Sequence, residues 1–126
     1  MKVLLDTHIL LWWLSDDKAL PPRAAQVIAD SGTVVLVSAA SVWEIAIKKA
    51  LGRLDAPDDL LDALDANAFD ALAITAAHAV AAGELPAHNA DPFDRMLIAQ
   101  ARVEGLTLVT VDDRFAEYEV NLLSKR

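Results

Sequence analysis

The sequence predicts an α/β fold, a three-layer α/β/α sandwich in which helices cover both faces of a mostly parallel sheet. Short, continuously apolar runs alternate along the chain with longer segments that begin at helix-capping residues. Apolar runs of this length are typical of parallel strands that are buried on both faces. Strands that alternate with helices indicate a parallel sheet built from crossover units. In chain order, the predicted elements are a strand at 3–5, helices at 9–14 and 21–30, a strand at 33–37, helices at 38–51 and 58–66, a short strand at 69–74, helices at 75–82 and 91–104, and strands at 106–111 and 120–123.

The first half of the chain carries clear boundary signals. The apolar run at 3–5 ends at Asp6, which marks the end of a buried strand. Pro21-Pro22 begins a helix, because proline fits the first helical position. Ser38 is the predicted N-cap of the next long helix, and Gly52 ends that helix.

The second half follows the same logic. Asp58 and Thr75 are the predicted N-caps of two shorter helices. Asp91 followed by proline is the strongest start signal, with aspartate at the N-cap and proline at the first helical position. Gly105 ends this helix, and the apolar run that follows leads to Asp112.

Composition limits the classes of protein to consider. The chain has 126 residues, of which 55% are hydrophobic, so residues 1–126 are predicted to form a single folded domain with its own core. There is no cysteine, and no apolar run is long enough for a membrane span or is followed by a cleavage site, so we expect a cytoplasmic protein without a membrane partner. The formal net charge of −8 argues against a protein that grips nucleic acid by bulk positive charge, but allows a carboxylate-held metal site.

Two aspartates stand at the ends of predicted strands. Asp6 follows the first strand and Asp112 follows the last clear one. Because the carboxyl ends of parallel strands meet at one edge, both side chains are expected at the edge where α/β folds place their sites. Either aspartate alone is explained equally well as a polar residue that ends a strand.

Two further acids lie on apolar helix stripes. Glu44 is the only charge among Ala40, Ile47 and Leu51, and Asp94 shares a face with Leu97, Ile98 and Ala101. A carboxylate that faces a core must be paired or bound to a metal. The alternatives are an ion pair between Glu44 and Lys48, and stabilisation of the helix dipole by Asp94.

Together these four carboxylates predict a metal site. Converging carboxylates repel one another unless a cation is present, and hard oxygen ligands suit Mg²⁺ or Mn²⁺. Such a site is a common device for hydrolysing phosphodiester bonds with metal-activated water. Asp91 is best explained as an N-cap, but could also reach this site through water.

Four segments resemble PIN domains, and most closely the VapC-type toxins of bacteria. They are Leu-Leu-Asp-Thr-His at 4–8, Ser-Val-Trp-Glu-Ile at 41–45, Asp-Pro-Phe-Asp-Arg-Met-Leu-Ile-Ala-Gln-Ala at 91–101 and Leu-Val-Thr-Val-Asp-Asp-Arg-Phe at 108–115. The resemblance covers essentially the whole chain, and the third segment is the most specific. It implies a PIN-like α/β/α sandwich, Mg²⁺- or Mn²⁺-dependent cleavage of RNA, inhibition by a cognate antitoxin and, in many members, a homodimer.

The resemblance also assigns roles to residues. The acidic quartet that serves catalysis and holds the metal is Asp6, Glu44, Asp94 and Asp112. Small polar residues that support the site are Thr7, Ser41 and Thr110, with Asp91 as a further candidate. Asp113 is a rival to the adjacent Asp112, although the Thr-x-Asp-x-x-Phe spacing favours Asp112.

Basic and aromatic residues near these segments are candidates for binding. The candidate RNA contacts are Lys48, Lys49, Arg53, Arg95 and Arg114, of which Arg95 stands out because it neighbours Asp94. The plainer interpretation of each is a solvated surface charge. His8 is a further candidate for substrate contact. Since Trp12 and Trp13 are adjacent, one is expected to be exposed in a dimer or antitoxin interface.

Three alternatives remain open at the level of sequence. A phospho-receiver signalling module shares the length, fold class and acidic site, but needs an aspartate after the middle strand, where Ser38 stands, and a lysine after a late strand, where Asp112 and Asp113 stand. A non-catalytic binding protein could use the same fold as a scaffold. DNA could replace RNA as the substrate, because metal-activated hydrolysis does not require a 2′-hydroxyl.

Overall fold

A computed structural model describes residues 1–123. It contains a five-stranded sheet in which every pair of neighbouring strands is parallel. The strand order is β3-β2-β1-β4-β5. The strands are β1 (Lys2–Leu5), β2 (Val34–Ser38), β3 (Asp70–Leu72), β4 (Thr107–Val109) and β5 (Leu122–Leu123). The helices are α1 (Thr7–Leu14), α2 (Pro22–Ala29), α3 (Ala39–Ala50), α4 (Leu60–Ala66), α5 (Ala76–Glu84) and α6 (Pro92–Glu104), and a short 3-10 helix covers Asp113–Glu117.

The central strand β1 separates two hydrophobic cores. Side chains alternate across a strand, so Val3 and Leu5 face one layer and Leu4 faces the other. All three are completely buried. The first core is completed by α1 to α4, and the second by α5, α6 and the 3-10 helix. The predicted α/β/α sandwich is therefore confirmed.

The sheet topology also excludes the receiver alternative on structural grounds. Here β1 lies between β2 and β4. Flavodoxin-like folds, to which receivers belong, have the order 2-1-3-4-5. In both arrangements, sites lie beyond the carboxyl ends of the strands, so the expected place of the acids is unchanged.

Some element boundaries differ from the prediction. The N-cap of α4 is Asp59, whose carboxylate accepts a hydrogen bond from the Asp62 N–H (3.1 Å), and the prediction of Asp58 was wrong. Asp58 instead forms an ion pair with Lys49 (3.0 Å). The neighbouring aspartates offer the same capping chemistry, so only the path of the chain decides between them.

Two other local features were not predicted. β4 ends at Val109, and the 3-10 helix follows because the Asp112 side chain accepts a hydrogen bond from the Arg114 N–H (2.9 Å). Leu51 is 60% exposed, so it does not belong to the buried stripe of α3.

The N-caps Ser38 and Thr75 are as predicted, and each accepts a hydrogen bond from a backbone N–H of the following helix. Among residues 1–123, no helix is long and apolar enough to cross a membrane.

Candidate active site

The ends of β1 and β4 and the helices α3 and α6 meet around a cleft of about 320 Å³. All four acids of the predicted quartet line this cleft, namely Asp6, Glu44, Asp94 and Asp112. The cleft is also lined by Thr7, His8, Trp12, Lys48, Asp91, Val111 and Arg114. The tertiary structure thus brings together residues that are up to 108 positions apart, from Asp6 to Arg114.

Asp6 lies at the floor of the cleft. Its N–H donates to the Val109 carbonyl (2.9 Å), which extends the pairing of β1 with β4 and aims the side chain past the sheet edge. The carboxylate is buried and accepts a hydrogen bond from the Thr110 hydroxyl (2.7 Å). Burial raises the pKa of Asp6, although Thr110 and the nearby His8 act in the opposite direction. The contacts that stabilise the charged form of Asp6 therefore do not fully offset the cost of its burial.

Glu44 is buried on α3 and has a partner for each carboxylate oxygen. Oε1 accepts from the Thr7 hydroxyl and Oε2 accepts from Lys48 Nζ, both at 2.7 Å. The Ser41 hydroxyl lies 3.0 Å from that of Thr7, which places Ser41 as a support for this contact. The hydrogen bond to Glu44 raises the pKa of Lys48. The sequence offered two interpretations of Glu44, a buried carboxylate facing the core or an ion-pair partner of Lys48. In the structure, Glu44 is both.

Asp94 lies in the first turn of α6, with its side chain only 13% exposed. Oδ2 accepts a hydrogen bond from Asn89 Nδ2 (3.0 Å). Burial raises the pKa of Asp94 to about 6, and the neighbouring Asp91 and Asp6 contribute to the rise. Asp91 acts as the N-cap, because its Oδ1 accepts from the N–H groups of Phe93 (2.8 Å) and Asp94 (3.3 Å).

Asn89 is a residue that the sequence interpretation missed. It is buried, and its two amide atoms serve different partners: Nδ2 donates to Asp94 and Oδ1 accepts from the Asp91 N–H (2.9 Å). The available signal was an asparagine two residues before an N-capping aspartate, a spacing that favours a local side-chain turn. Asn89 orients the carboxylate of Asp94 within the cleft.

Asp112 is neutralised by an internal cation. Its Oδ2 accepts from Arg114 Nη2 (2.7 Å), and both carboxylate oxygens lie 3.1 Å from Arg114 Nε. Arg114 lowers the pKa of Asp112, and Nη2 also lies 3.6 Å from Asp94 Oδ2. Asp112 lines the cleft, whereas Asp113 begins the 3-10 helix and is exposed. The geometry favours Asp112 as the fourth acid.

The acidic side chains of the cleft are not arranged as a preformed metal site. Within residues 1–123, no three acidic or histidine side chains surround a common point in the manner of metal ligands. The oxygens that could hold a cation are those of Asp6, Glu44, Asp94 and Asp112, which share the cleft. Three of these acids already have a positively charged neighbour: Lys48 pairs with Glu44, and Arg114 pairs with Asp112 and lies 3.6 Å from Asp94.

Arg95 has a structural role that the sequence interpretation did not anticipate. Nη1 donates to the carbonyls of Pro86 (2.9 Å) and Asn89 (3.3 Å), and Nη2 donates to those of Ala82 and Leu85 (both 2.8 Å). The guanidinium therefore ties the end of α5 and the loop that follows it to the start of α6. Because its guanidinium is occupied by four carbonyls and does not line the cleft, the structure does not support Arg95 as an RNA contact. Its position next to Asp94 in the sequence does not bring it into the cleft.

Two further lysine and arginine candidates lie apart from the acids. Lys49 Nζ donates to the carbonyls of Ala56 and Pro57 (both 3.1 Å) and pairs with Asp58, so it holds the loop before α4. Arg53 is exposed in the turn that follows α3. Of the five basic candidates, Lys48 and Arg114 are the two that line the cleft.

The tryptophans are distributed differently from the prediction. Trp12 and Trp13 are both half-buried and pack against the first core, so the expectation that one is exposed was wrong. Trp12 lines the cleft, and Trp13 Nε1 donates to Asn67 Oδ1 (2.9 Å). The exposed tryptophan is Trp43, which packs edge-to-face on Phe93 with 5.6 Å between ring centroids. Trp43 lies on an exposed stripe of α3 together with Ala39, Ala46 and Ala50, and because this stripe is as apolar as the buried one, the sequence carried no signal of its exposure.

Comparison with known proteins identifies the family. The family model described as PIN domain matches residues 3–121. The chain is 32% identical over 119 residues to Ribonuclease VapC22 of Mycobacterium tuberculosis, a match that covers 92% of this chain and 91% of the relative.

Solved structures share the fold over nearly the whole chain. VapBC2 from Rickettsia felis, bound to a DNA fragment from its promoter, matches with a TM-score of 0.73 and 16% identity, and the match covers 98% of each chain. DNA-bound VapBC from Salmonella typhimurium matches with a TM-score of 0.70 and 18% identity, and the match covers 100% of this chain and 99% of the other. A toxin–antitoxin complex from Klebsiella pneumoniae matches with a TM-score of 0.69 and 17% identity over 98% of each chain. The resemblance drawn from the four sequence segments is confirmed, and the chain belongs to the PIN-domain family as a relative of the VapC ribonucleases.

Proposed function

We propose that this chain is a single-domain endoribonuclease that depends on Mg²⁺ or Mn²⁺ and acts as the toxin of a toxin–antitoxin pair. The ribonuclease activity is supported by the relative that shares 32% of its residues with this chain and is named a ribonuclease. The toxin role is supported by the VapC type of that relative and by the toxin–antitoxin complexes among the structures of the same fold. The observation that carries the catalytic part is the convergence of four acids in one cleft at the carboxyl edge of the sheet.

The donor set fits a hard divalent cation. Carboxylate oxygens are ligands that Mg²⁺ and Mn²⁺ prefer. Burial raises the pKa of both Asp6 and Asp94, which means that their charged forms lack compensation in the surrounding protein. A cation would supply that compensation, so Asp6, Asp94 and Asp112, with Glu44, are the residues that would hold it.

The chain's own residues prepare the cleft for an anionic substrate. A bound divalent cation lowers the pKa of water and neutralises charge on a phosphate. Thr110 holds Asp6 in place and Asn89 holds Asp94, so two of the acids keep fixed orientations. Lys48 neutralises Glu44 at the wall of the cleft.

The basic side chains that line the cleft would bind the RNA backbone. Lys48 and Arg114 offset part of the acidic charge where a phosphate must approach. His8 and Trp12 line the same cleft, and their rings lie 6.0 Å apart by centroid. These rings offer a surface on which an unpaired base can stack. We expect cleavage products with 5′-phosphate and 3′-hydroxyl ends.

The proposed partners and location follow from this activity. An antitoxin protein would bind the chain and suppress cleavage, and two copies of the chain would form a homodimer. We expect the activity in the cytoplasm, together with its RNA substrate. RNA is favoured over DNA because VapC22, the relative at 32% identity, is named a ribonuclease.

The test is cleavage of cellular RNA by the purified chain, free of any antitoxin, in Mg²⁺ or Mn²⁺. The same assay is run in EDTA and with Asp94→Asn. The matched control is Asp70→Asn, which removes one negative charge from an exposed position on β3. We expect specific cleavage by the wild type and by Asp70→Asn, and none in EDTA or with Asp94→Asn. Equal cleavage by Asp94→Asn would refute the site, and no cleavage across several RNA pools by folded wild type would favour the non-catalytic scaffold.

A further inference from the structure

Arg114 occupies the position of a counter-ion within the acidic cleft. Its guanidinium contacts both oxygens of Asp112 at 2.7–3.1 Å and approaches Asp94 Oδ2 at 3.6 Å. Arginine suits this role because its planar, forked guanidinium can bind a carboxylate through two hydrogen bonds at once. One side chain thus bridges two members of the quartet, one on α6 and one before the 3-10 helix.

We propose that Arg114 competes with the divalent cation for Asp112 and Asp94, and that cation binding releases Arg114 to bind the RNA phosphate. This inference rests on the proposed function, since it assigns the order of events within the same site. The hydrogen bonds from Arg114 take up the acceptor positions of both Asp112 oxygens: Oδ1 accepts from the backbone N–H and Nε, and Oδ2 accepts from Nε and Nη2. A cation that binds Asp112 therefore competes with the guanidinium for these positions and also repels its positive charge.

The release is physically inexpensive. The Arg114 side chain is 58% exposed, so it can move into solvent without leaving a buried cavity. Exposed ion pairs contribute little to stability, because water solvates the separated charges well. Asp94 is only 13% exposed and gains more from a cation than from an arginine at 3.6 Å.

The exchange makes the cation and the RNA mutually reinforcing ligands. A cation that takes Asp112 frees a positive charge at the mouth of the cleft, where it can meet a phosphate. A phosphate that takes Arg114 frees Asp112 for the cation. Because binding linkage is reciprocal, each ligand raises the affinity for the other.

The direct test measures Mn²⁺ binding to the full chain by calorimetry, without RNA and without antitoxin. Arg114→Gln removes the competitor, and Arg114→Lys keeps the charge but lacks the forked geometry that holds Asp112. We expect both variants to bind Mn²⁺ about threefold to tenfold more tightly than the wild type, which corresponds to the loss of a modest ion pair. Arg23→Gln is the matched control, because it removes one arginine charge from an exposed position on α2, and it should bind Mn²⁺ like the wild type.

A second measurement addresses the released state. In saturating Mn²⁺, Arg114→Gln should raise the KM for RNA about fivefold, the effect of losing one charge-assisted contact, while kcat changes less. An unchanged KM would overturn the transfer of Arg114 to the RNA phosphate.

The outcomes distinguish this inference from the proposed function. Equal Mn²⁺ affinity in the wild type and both Arg114 variants would overturn the exchange and leave the metal-dependent nuclease standing. Tighter binding by Arg114→Gln but not by Arg114→Lys would mean that only the positive charge at this position, and not the guanidinium contact with Asp112, affects Mn²⁺ binding. That result would also overturn the exchange. Failure of every protein to bind Mn²⁺ would overturn the proposed metal dependence itself, and this inference with it.

Discussion

Replacement of Asp94 by asparagine is expected to stabilise the cation-free protein while abolishing its nuclease activity. The Asp94 carboxylate lies in a largely buried position, next to Asp91 and Asp6, and its pKa is raised to about 6. Asparagine has nearly the same shape, can still accept the hydrogen bond from Asn89, and carries no charge that must be desolvated. Functional sites commonly retain such destabilising groups because the activity requires them.

The raised pKa gives the size of the effect. A carboxyl group whose pKa rises from 3.8 to about 6 disfavours the folded state by at most about 3 kcal/mol at neutral pH, since each pH unit corresponds to about 1.4 kcal/mol. This net shift already includes the attraction of Arg114, which lies 3.6 Å away, and the asparagine amide must still be desolvated in the same position. We therefore expect Asp94→Asn to raise the free energy of unfolding by about 1 to 2 kcal/mol, and the Tm by roughly 3 to 10 °C.

The pH dependence distinguishes this mechanism from a general change in packing. Because the folded pKa of Asp94 lies above the unfolded value, its cost to stability appears as the pH rises from about 3.8 to about 6 and stays constant above that. At pH 4, Asp94 is protonated in the folded state and about half protonated in the unfolded state, so most of this cost is gone. The advantage of Asp94→Asn should therefore fall to a small fraction of its value at neutral pH.

The assay is urea unfolding in EDTA at pH 7.5 and pH 4, followed by the fluorescence of the three tryptophans. Asp70→Asn serves as the charge-matched control and should change stability by less than about 0.5 kcal/mol. Addition of Mn²⁺ should stabilise the wild type but not Asp94→Asn. If Asp94→Asn is no more stable than the wild type at pH 7.5, or is more stable by the same amount at both pH values, then the buried charge of Asp94 does not destabilise the protein.

Three other substitutions test the supports of the cleft and its neighbouring loop by urea unfolding. Thr110→Val should lower the free energy of unfolding by about 1 to 3 kcal/mol, because the buried Asp6 carboxylate loses the hydroxyl that donates to it at 2.7 Å. Lys48→Met should lower it by about 1 kcal/mol, since Glu44 keeps the Thr7 contact but loses its half-exposed cationic partner. Arg95→Gln should cost about 2 to 4 kcal/mol by freeing four backbone carbonyls, and should speed hydrogen exchange in the loop before α6.

Conservative variants provide the controls for these three substitutions. Thr110→Ser keeps the hydroxyl and should retain most of the stability, and Lys48→Arg keeps the charge and should do the same. Arg95→Lys should not restore stability, because a single ammonium group cannot reach four carbonyls. Full stability of Arg95→Lys would show that charge alone matters at this position, and an unaffected Thr110→Val would show that Asp6 does not depend on that hydrogen bond.

The positions of the four acids were accessible from the sequence because each had a local signal. Asp6 and Asp112 follow apolar runs, and Glu44 and Asp94 interrupt apolar helix stripes. These periodicities report which face of an element is buried, and parallel strands bring their ends to the same edge. The structure places all four in one cleft, and their catalytic role stays a prediction until the nuclease assay is done.

The partners of long, flexible side chains were not accessible in this way. Arg95 and Arg114 both lie near predicted site acids in the sequence, yet Arg95 holds four backbone carbonyls and Arg114 holds Asp112. A long, flexible arginine side chain can reach many groups, so only the folded surroundings select among them. The same limit explains Asn89, whose role depends on a loop that the sequence leaves without a regular pattern.

The sequence by itself determined the α/β class, the order of the elements, the sheet edge that carries the acids and the family resemblance, because these follow from periodicity, capping chemistry and motif order. Only the tertiary structure decided the strand order, the exposure of Trp43, the contact of Thr7 with Glu44 and the contact of Thr110 with Asp6. The physical reason is the range of the interactions. Local hydrogen bonds and hydrophobic periods act within a few residues, whereas packing and charge pairing join residues that meet only after the chain has folded.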